Sequence, residues 1–315
     1  MSVTTLRPSA ARRRNSLWRE LALGRTWPLY VMMLPGLVAL LLFSYKPMYG
    51  LVIAFKDYQP VQGFAGSPWV GLKYFRELFS LSEFPQLLRN TVMIAVGKIV
   101  LTQLAALVFA LVLNEVHNRL FKRAVQTVAY LPHFLSWIIL GGLFIDLLAE
   151  GGGINKLLSM TGLQPVPFLA KPSLFPGILV LTHTWKEFGW SAIIFLAALT
   201  GVDPQLHEAA AIDGAGRWQR MRYVTIPGIL PVIALVAALS LGHVLDAGFE
   251  QILVLYNPLL RGTGDVIATY VYRAGLERAQ YSLATAVGLF QGIVSLVLIL
   301  TSRWLAHRLA GYQVF

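Results

Sequence analysis

Six stretches of this chain read as membrane spans from their apolar content: about Leu29 to Tyr45, Thr91 to Leu113, Ala124 to Leu148, Leu174 to Leu199, Ile229 to Val244 and Ser282 to Leu300. Each is close to the roughly 20 residues that a helix needs to cross the hydrocarbon layer of a bilayer. The pattern predicts an all-α polytopic membrane protein with six transmembrane helices, and it leaves no room for a large soluble domain. Lys46-Pro47 breaks the first stretch, and Pro35, Pro132 and Pro231 interrupt others. Such breaks are tolerated where neighbouring helices or an aqueous path satisfy the freed carbonyls.

Composition agrees with this pattern. Of 315 residues, 56% are hydrophobic and 13% charged, against about 25% charged in an ordinary soluble domain. A net charge of +11 suits either nucleic-acid binding or membrane orientation, and its placement decides, because the basic residues lie in loops. With the N-terminus inside, fourteen Lys and Arg fall on the cytoplasmic side: six in the N-terminal tail, Arg119, Lys122 and Arg123, then Arg217, Arg220 and Arg222, then Arg303 and Arg308. Eight fall on the other side over much longer loops, namely Lys56, Lys73, Arg76, Lys156, Lys171, Arg261, Arg273 and Arg278. Basic flanks are retained in the cytoplasm, so both termini are expected inside a multi-pass protein of the bacterial cytoplasmic (inner) membrane, with lipid as its partner and no nucleic acid.

The arginine-rich start lacks a small-residue cleavage site and is followed by further spans, so it reads as a tail and not a cleaved signal. The expected organisation is a basic cytoplasmic tail over 1–28, a six-helix membrane domain over 29–308 and a short cytoplasmic tail over 309–315. The absence of cysteine excludes disulfides, thiolate metal sites and cysteine nucleophiles. The external loops 56–86, 149–173 and 245–281 are rich in Gly, Pro and aromatics, a composition that suits short surface helices meeting a partner from outside. No internal repeat stands out.

The loop between the fourth and fifth stretches, 201–227, is longer than a connector needs to be. Asp203-Pro204 reads as an N-cap and first turn, Gln205 to Asp213 favours helix, and Gly214 suits a left-handed stop. Ala209, Ala210 and Ala211 allow close approach by another surface, with Glu208 and Asp213 as acceptors at its flanks. A second short helix is expected over Arg217 to Val224, with Pro227 restarting the chain into the fifth span. The alternative is an amphipathic helix resting on anionic lipid through Arg217, Arg220 and Arg222.

Glu208-Ala209-Ala210, Gly214, Val224, Ile226 and Pro227 resemble the EAA loop of ABC importer permeases, with Val224 and Ile226 where Ile and Leu are usual. Tyr45-Lys-Pro-Met-Tyr-Gly50, Tyr130-Leu-Pro-His-Phe134, Trp185-Lys-Glu-Phe-Gly-Trp190 and the 248–258 segment resemble the LplB-like branch, similar to the maltose and alginate permeases. The resemblance implies a type I ABC importer permease fold and transport of an oligosaccharide or polysaccharide fragment. It implies as partners an ABC ATPase dimer, a second homologous permease and an extracytoplasmic solute-binding protein. Glu208, Ala209, Ala210, Asp213, Gly214 and Pro227 are then the ATPase-coupling residues. The sequence contains no Gly-x-x-x-x-Gly-Lys-[Ser/Thr] run, so ATP and Mg are expected to be bound by the partner, with no cofactor and no catalytic or metal site in this chain.

Ionisable groups within a span are costly and mostly face the bundle interior. His183, Glu187 and Trp190, and Ser240, His243 and Asp246, fall at helical spacing in the two spans flanking the loop. In the similar maltose permease these two spans hold the sugar, which makes the six residues substrate-path candidates. A buried structural network is the alternative. Glu250, Gln251, Tyr256 and Asn257 are expected near the outer mouth. Lys98 and His133 read as packing or snorkelling residues, and Lys186 and Glu187, adjacent in sequence, are not an automatic ion pair. A proton-coupled transporter relaying through Asp146, Glu187 or Asp246 is the main rival, followed by an ABC permease for a non-sugar cargo. No hydrolytic or metal motif supports a membrane enzyme.

Overall fold

The computed structural model describes residues 27–310 and is helical almost throughout. The tail expected over 1–28 and most of that over 309–315 lie outside the described residues. The chain divides into two compact units, Met1–Ile53 and Ala54–Phe315. In the first, α1 (Trp27–Leu40) tolerates Pro35 and widens into a π-type turn at Leu41–Tyr45.

In the second unit the segment after Lys56 forms a small cap. Phe55 stacks on Trp69 with ring centroids 5.7 Å apart, and Lys56 pairs with Trp69 in an isolated bridge. A short helix, α2 (Lys73–Ser80), follows. Then come the long α3 (Phe84–Asn114), α4 (Arg119–Tyr130), α5 (Trp137–Leu148), α6 (Gly153–Met160) and the long α7 (Phe175–Thr200). The chain continues with α8 (Pro204–Ile212), α9 (Ile226–Ser240), α10 (Phe249–Leu255), α11 (Ile267–Tyr272) and α12 (Tyr281–Ala310). With 31 residues, α3 is about 46 Å long at 1.5 Å per residue, more than the hydrocarbon thickness.

Among the described residues, five helical runs are long and apolar enough to cross a membrane: Trp27–Phe55, Phe84–Asn114, Trp137–Met160, Arg217–His243 and Tyr281–Ser302. The sixth expected span, α7, has the length but not the apolarity, because His183, Lys186 and Glu187 interrupt it. It packs along α3 instead of facing lipid with its whole surface, through Gly97 against Val180 and Thr102 against the Thr184 hydroxyl at 3.2 Å.

The single span expected over Ala124 to Leu148 is corrected. The chain breaks at Leu131–Ser136, where Pro132 supplies no amide hydrogen and Ser136 starts α5 as an N-cap accepting from the Ile139 amide. The fifth span also differs, since regular helix ends at Ser240, tightens to a 3₁₀ turn over Leu241–His243 and stops.

Three apolar clusters follow α3 from end to end. Leu78, Phe84 and Leu87 meet Ile267, Tyr270 and Leu283 at one end. Ile94 meets Phe175, Leu179, Ile252 and Val266 further along. Ala106, Ala110 and Leu111 close the other end with Ala192, Phe195, Leu199 and Ile229. The loop 201–227 therefore emerges at the end of the bundle opposite Phe84 and Phe175.

Candidate functional site

The loop after α7 is built by local signals. The Asp203 carboxylate accepts from the Gln205 amide at 2.9 Å, capping α8. At its other end Gly214 has φ +81°, its amide bonds the Ala211 carbonyl at 3.1 Å, and the Ala215 amide reaches the Ala210 carbonyl at 2.9 Å. This is a Schellman stop, which requires the left-handed conformation that glycine adopts without strain. No side chain of α8 is buried. Ile212 is 87% exposed and Trp218 71% exposed, and Glu208, Ala209 and Asp213 are exposed beside them.

The second helix expected here differs from the structure. Only Arg217–Arg220 forms a regular turn, started by the Gln219 side chain accepting from the Gly216 amide at 2.8 Å. A π-type turn over Met221–Thr225 then leads directly into α9. Pro227 does not restart the chain. It lacks the amide hydrogen that would bond the Tyr223 carbonyl, and the widened turn accommodates it while the Ile226 amide reaches the Met221 carbonyl.

A second constellation lies midway along α7. The Glu187 carboxylate bonds His133 Nδ1 at 2.7 Å and Lys186 Nζ at 3.0 Å. Lys186 also donates to the His133 carbonyl at 2.7 Å and lies over the Trp137 ring. The adjacent Lys186 and Glu187 thus do form an ion pair, because the broken segment at Pro132 brings an acceptor between them. The His133 imidazole lies flat on Trp190, with centroids 4.4 Å apart and planes 2° from parallel. Phe134 meets Trp190 edge-on, and both are exposed. His183 sits one turn away, stacked near Trp137. The arrangement is an aromatic surface beside a satisfied charge cluster, suited to stacking on a ring. His133, Trp137 and Lys186 belong to it and are absent from the sequence-derived candidates.

The Ser240, His243 and Asp246 set does not form one helical face. The Ser240 hydroxyl donates to the Val236 carbonyl at 2.8 Å, and Asp246 lies beyond the helix end, accepting from the Gly248 amide at 3.1 Å. His243 and Asp246 are exposed.

Gln251 is fully buried. Its amide donates to the Leu179 carbonyl at 2.9 Å and to the Thr182 hydroxyl at 2.7 Å, and its oxygen accepts from Lys98. All of its hydrogen-bonding groups are engaged, so in this conformation Gln251 ties α10 to α3 and α7 instead of facing a cavity. Lys98 is 3% exposed and also bonds the Ala247 carbonyl. Glu250 is exposed on the first turn of α10. Tyr256 and Asn257 follow α10, and Asn257 bonds the Leu169 carbonyl at 2.7 Å.

A family described as the binding-protein-dependent transport system inner membrane component matches residues 102–311. The polygalacturonan/rhamnogalacturonan transport system permease protein YteP of Bacillus subtilis is 46% identical over 91% of this chain and 90% of its own length. Protein LplB of the same organism is 44% identical over 91% of each. Among solved structures, a bacterial ABC transporter involved in import of the acidic polysaccharide alginate superposes with a TM-score of 0.85 at 40% identity, over 93% of this chain and 99% of that one. With a family match over more than half of the chain and relatives this similar over nearly full length, this chain belongs to the inner-membrane components of binding-protein-dependent transport systems.

Proposed function

We propose that this chain and a second, related permease enclose the membrane pathway of an ABC importer, that α8 docks on one of a pair of partner ATPases, and that both termini are cytoplasmic. The observation that carries the reading is α8 itself: a capped, Schellman-terminated helix with no buried side chain, presenting Ile212, Glu208, Ala209 and Ala211 outward. A helix so well defined and so poorly packed is suited to a partner's cleft. The chain segments on either side of α8 join the apolar cluster of Leu199, Ile229, Val202 and Met221. Displacing α8 therefore moves α7, which carries His183, Glu187 and Trp190, and α9, which carries Ser240. ATP and Mg bind to the partner, whose closure drives that displacement.

The cargo is an oligosaccharide or polysaccharide fragment handed over by an extracytoplasmic binding protein. The relatives named above support this reading, as does an alginate transporter crystallised with a pentasaccharide-bound periplasmic protein, which aligns with 95% of this chain at a TM-score of 0.85. The exposed Trp190 and Phe134 beside the Glu187 cluster suit it physically, since aromatic faces stack on sugar rings and polar neighbours bond hydroxyls.

Assembly tests the reading. The purified chain hydrolyses no ATP and gains turnover only in complex with a Walker-motif subunit; turnover by the isolated polypeptide, free of contaminating subunits, contradicts it.

A further inference from the structure

Between α4, α3 and α7 runs an apolar groove of about 430 Å³, in the half of the bundle that carries α8. Its walls are Phe121, Val125 and Val128 of α4, Phe109 of α3, and Trp185 and Phe188 of α7; Phe109 meets Phe188 edge-on with centroids 5.3 Å apart. From Phe121 to Pro132 the residues that line it recur every three or four positions, the spacing of one helix face. At 1.5 Å per residue that stretch is about 16 Å long, close to the roughly 15 Å that one leaflet contributes to a hydrocarbon layer of about 30 Å. The same helix leaves Leu120, Phe121 and Val128 each more than half exposed, as a helix lying against lipid would.

The start of α4 is basic. Its first two turns carry Arg119, Lys122 and Arg123, with no acid in the first turn, although cations at a helix N-terminus oppose the macrodipole. Among the described residues none of the three forms an ion pair, and Glu115, the nearest acid in sequence, joins none of them. Asn118 already accepts from the Leu120 and Phe121 amides at 3.0 and 3.1 Å, so an anion here is left to the side chains. Lys122 stands two turns before Ala129, another lining residue, and therefore at the edge of the apolar face.

From this juxtaposition we propose that the groove holds one acyl chain of an anionic phospholipid from the leaflet on the α8 side, with Arg119, Lys122 and Arg123 receiving its phosphate. Long basic side chains lay their stems along apolar surface while their heads stay at the membrane boundary. A chain seated there lies against Phe188, next to Glu187, and braces α4 on α7 where the Ala129 carbonyl meets Gly189. Lipid binding at this face is independent of the cargo.

The test uses the whole complex in vesicles of mixed phosphatidylcholine and phosphatidylglycerol, with a photoreactive acyl chain on one lipid or the other and mapping of the labelled peptides. Phosphatidylglycerol labels residues 125–128 and 185–188 about fivefold more than phosphatidylcholine does. Arg119→Gln, Lys122→Gln and Arg123→Gln together remove that preference, and Val128→Trp, which fills the groove and keeps the charges, removes the label from 185–188; neither variant shifts the thermal midpoint of the complex. A second apolar groove, lined by Val100, Leu104 and Ile233 between α3 and α9, takes up both lipids equally. Equal labelling of the first groove by both lipids overturns the proposal, as does a preference of the same size at both grooves, which reports bulk enrichment of anionic lipid around a basic protein. Absence of label at 125–128 and 185–188 in the whole complex also overturns it, because a protein surface then covers the groove. So does a preference that survives the three substitutions or a label that survives Val128→Trp.

Discussion

Where α7 ends, Asp203, Gly214 and Gln219 satisfy their neighbours' backbone groups within one short loop, and α8 stays exposed. In the middle of the same helix, Glu187 is satisfied by His133, 54 residues away, and the cluster is packed against a broken chain segment. The first region is locally determined and open; the second is determined by tertiary packing and closed on itself. The difference teaches that an exposed helix can be specified by caps alone, whereas polar groups inside a span require a partner from another element.

This contrast orders the expected consequences of mutation. Gly214→Asp and Glu208→Lys abolish uptake and release the ATPase, while the chain remains in the membrane. An added side chain at Gly214 meets nothing within 4 Å, so the folding cost is only the left-handed backbone, about 1 kcal/mol. Loss of uptake without loss of the protein, scored by ATPase co-purification and membrane abundance, separates a docking role from a folding one. Normal uptake by both variants reduces the loop to a connector. Gly214→Asn is milder than Gly214→Val, because asparagine tolerates positive φ.

The packed region behaves in reverse. A Cβ at Gly189 would overlap the Ala129 carbonyl of α4, so Gly189→Ala lowers the thermal midpoint of the purified complex, by an overpacking cost of about 1–3 kcal/mol. Gly214→Ala, which costs about 1 kcal/mol, moves it less. Equal shifts in the two variants break the comparison.

Trp190→Ala removes the face on which His133 stacks and lowers uptake about three- to tenfold, with the ATPase still attached. A drop accompanied by ATPase release would move the cluster into the coupling machinery. The smallest effect is protection from labelling. In this cysteine-free chain, single cysteines at His243 and Asp246 react with an impermeant thiol reagent and are protected by cargo. The buried Leu245 and Ala247 positions stay unreactive. Uniform reactivity would remove the turn after α9 from the pathway.

The loop was legible because each of its signals acts over a few residues: aspartate before proline, a helix-favouring run, glycine at the stop. The membrane-crossing pattern was legible for the same reason, with α7 as the instructive exception, since the polar residues that lower its hydropathy are those that gather the cluster. His133 reads as a packing or snorkelling residue because nothing near it in sequence requires a partner. Only the break at Pro132 brings it to Glu187. Ser240, His243 and Asp246 share a spacing that presumes a regular helix, and the 3₁₀ turn at Leu241 ends that helix too early. Sequence position sets Gln251 with Glu250, Tyr256 and Asn257 near the outer mouth, but its amide meets Lys98, Thr182 and Leu179 from two other helices.

The central claim is that transport is driven through α8 by a partner's ATP hydrolysis. The direct measurement is uptake of binding-protein-loaded tetragalacturonate into proteoliposomes of the whole complex, with ATP inside and a protonophore present. The account predicts full uptake under those conditions and none without internal ATP or in Glu208→Lys; uptake that persists without ATP and collapses with the proton gradient would contradict it.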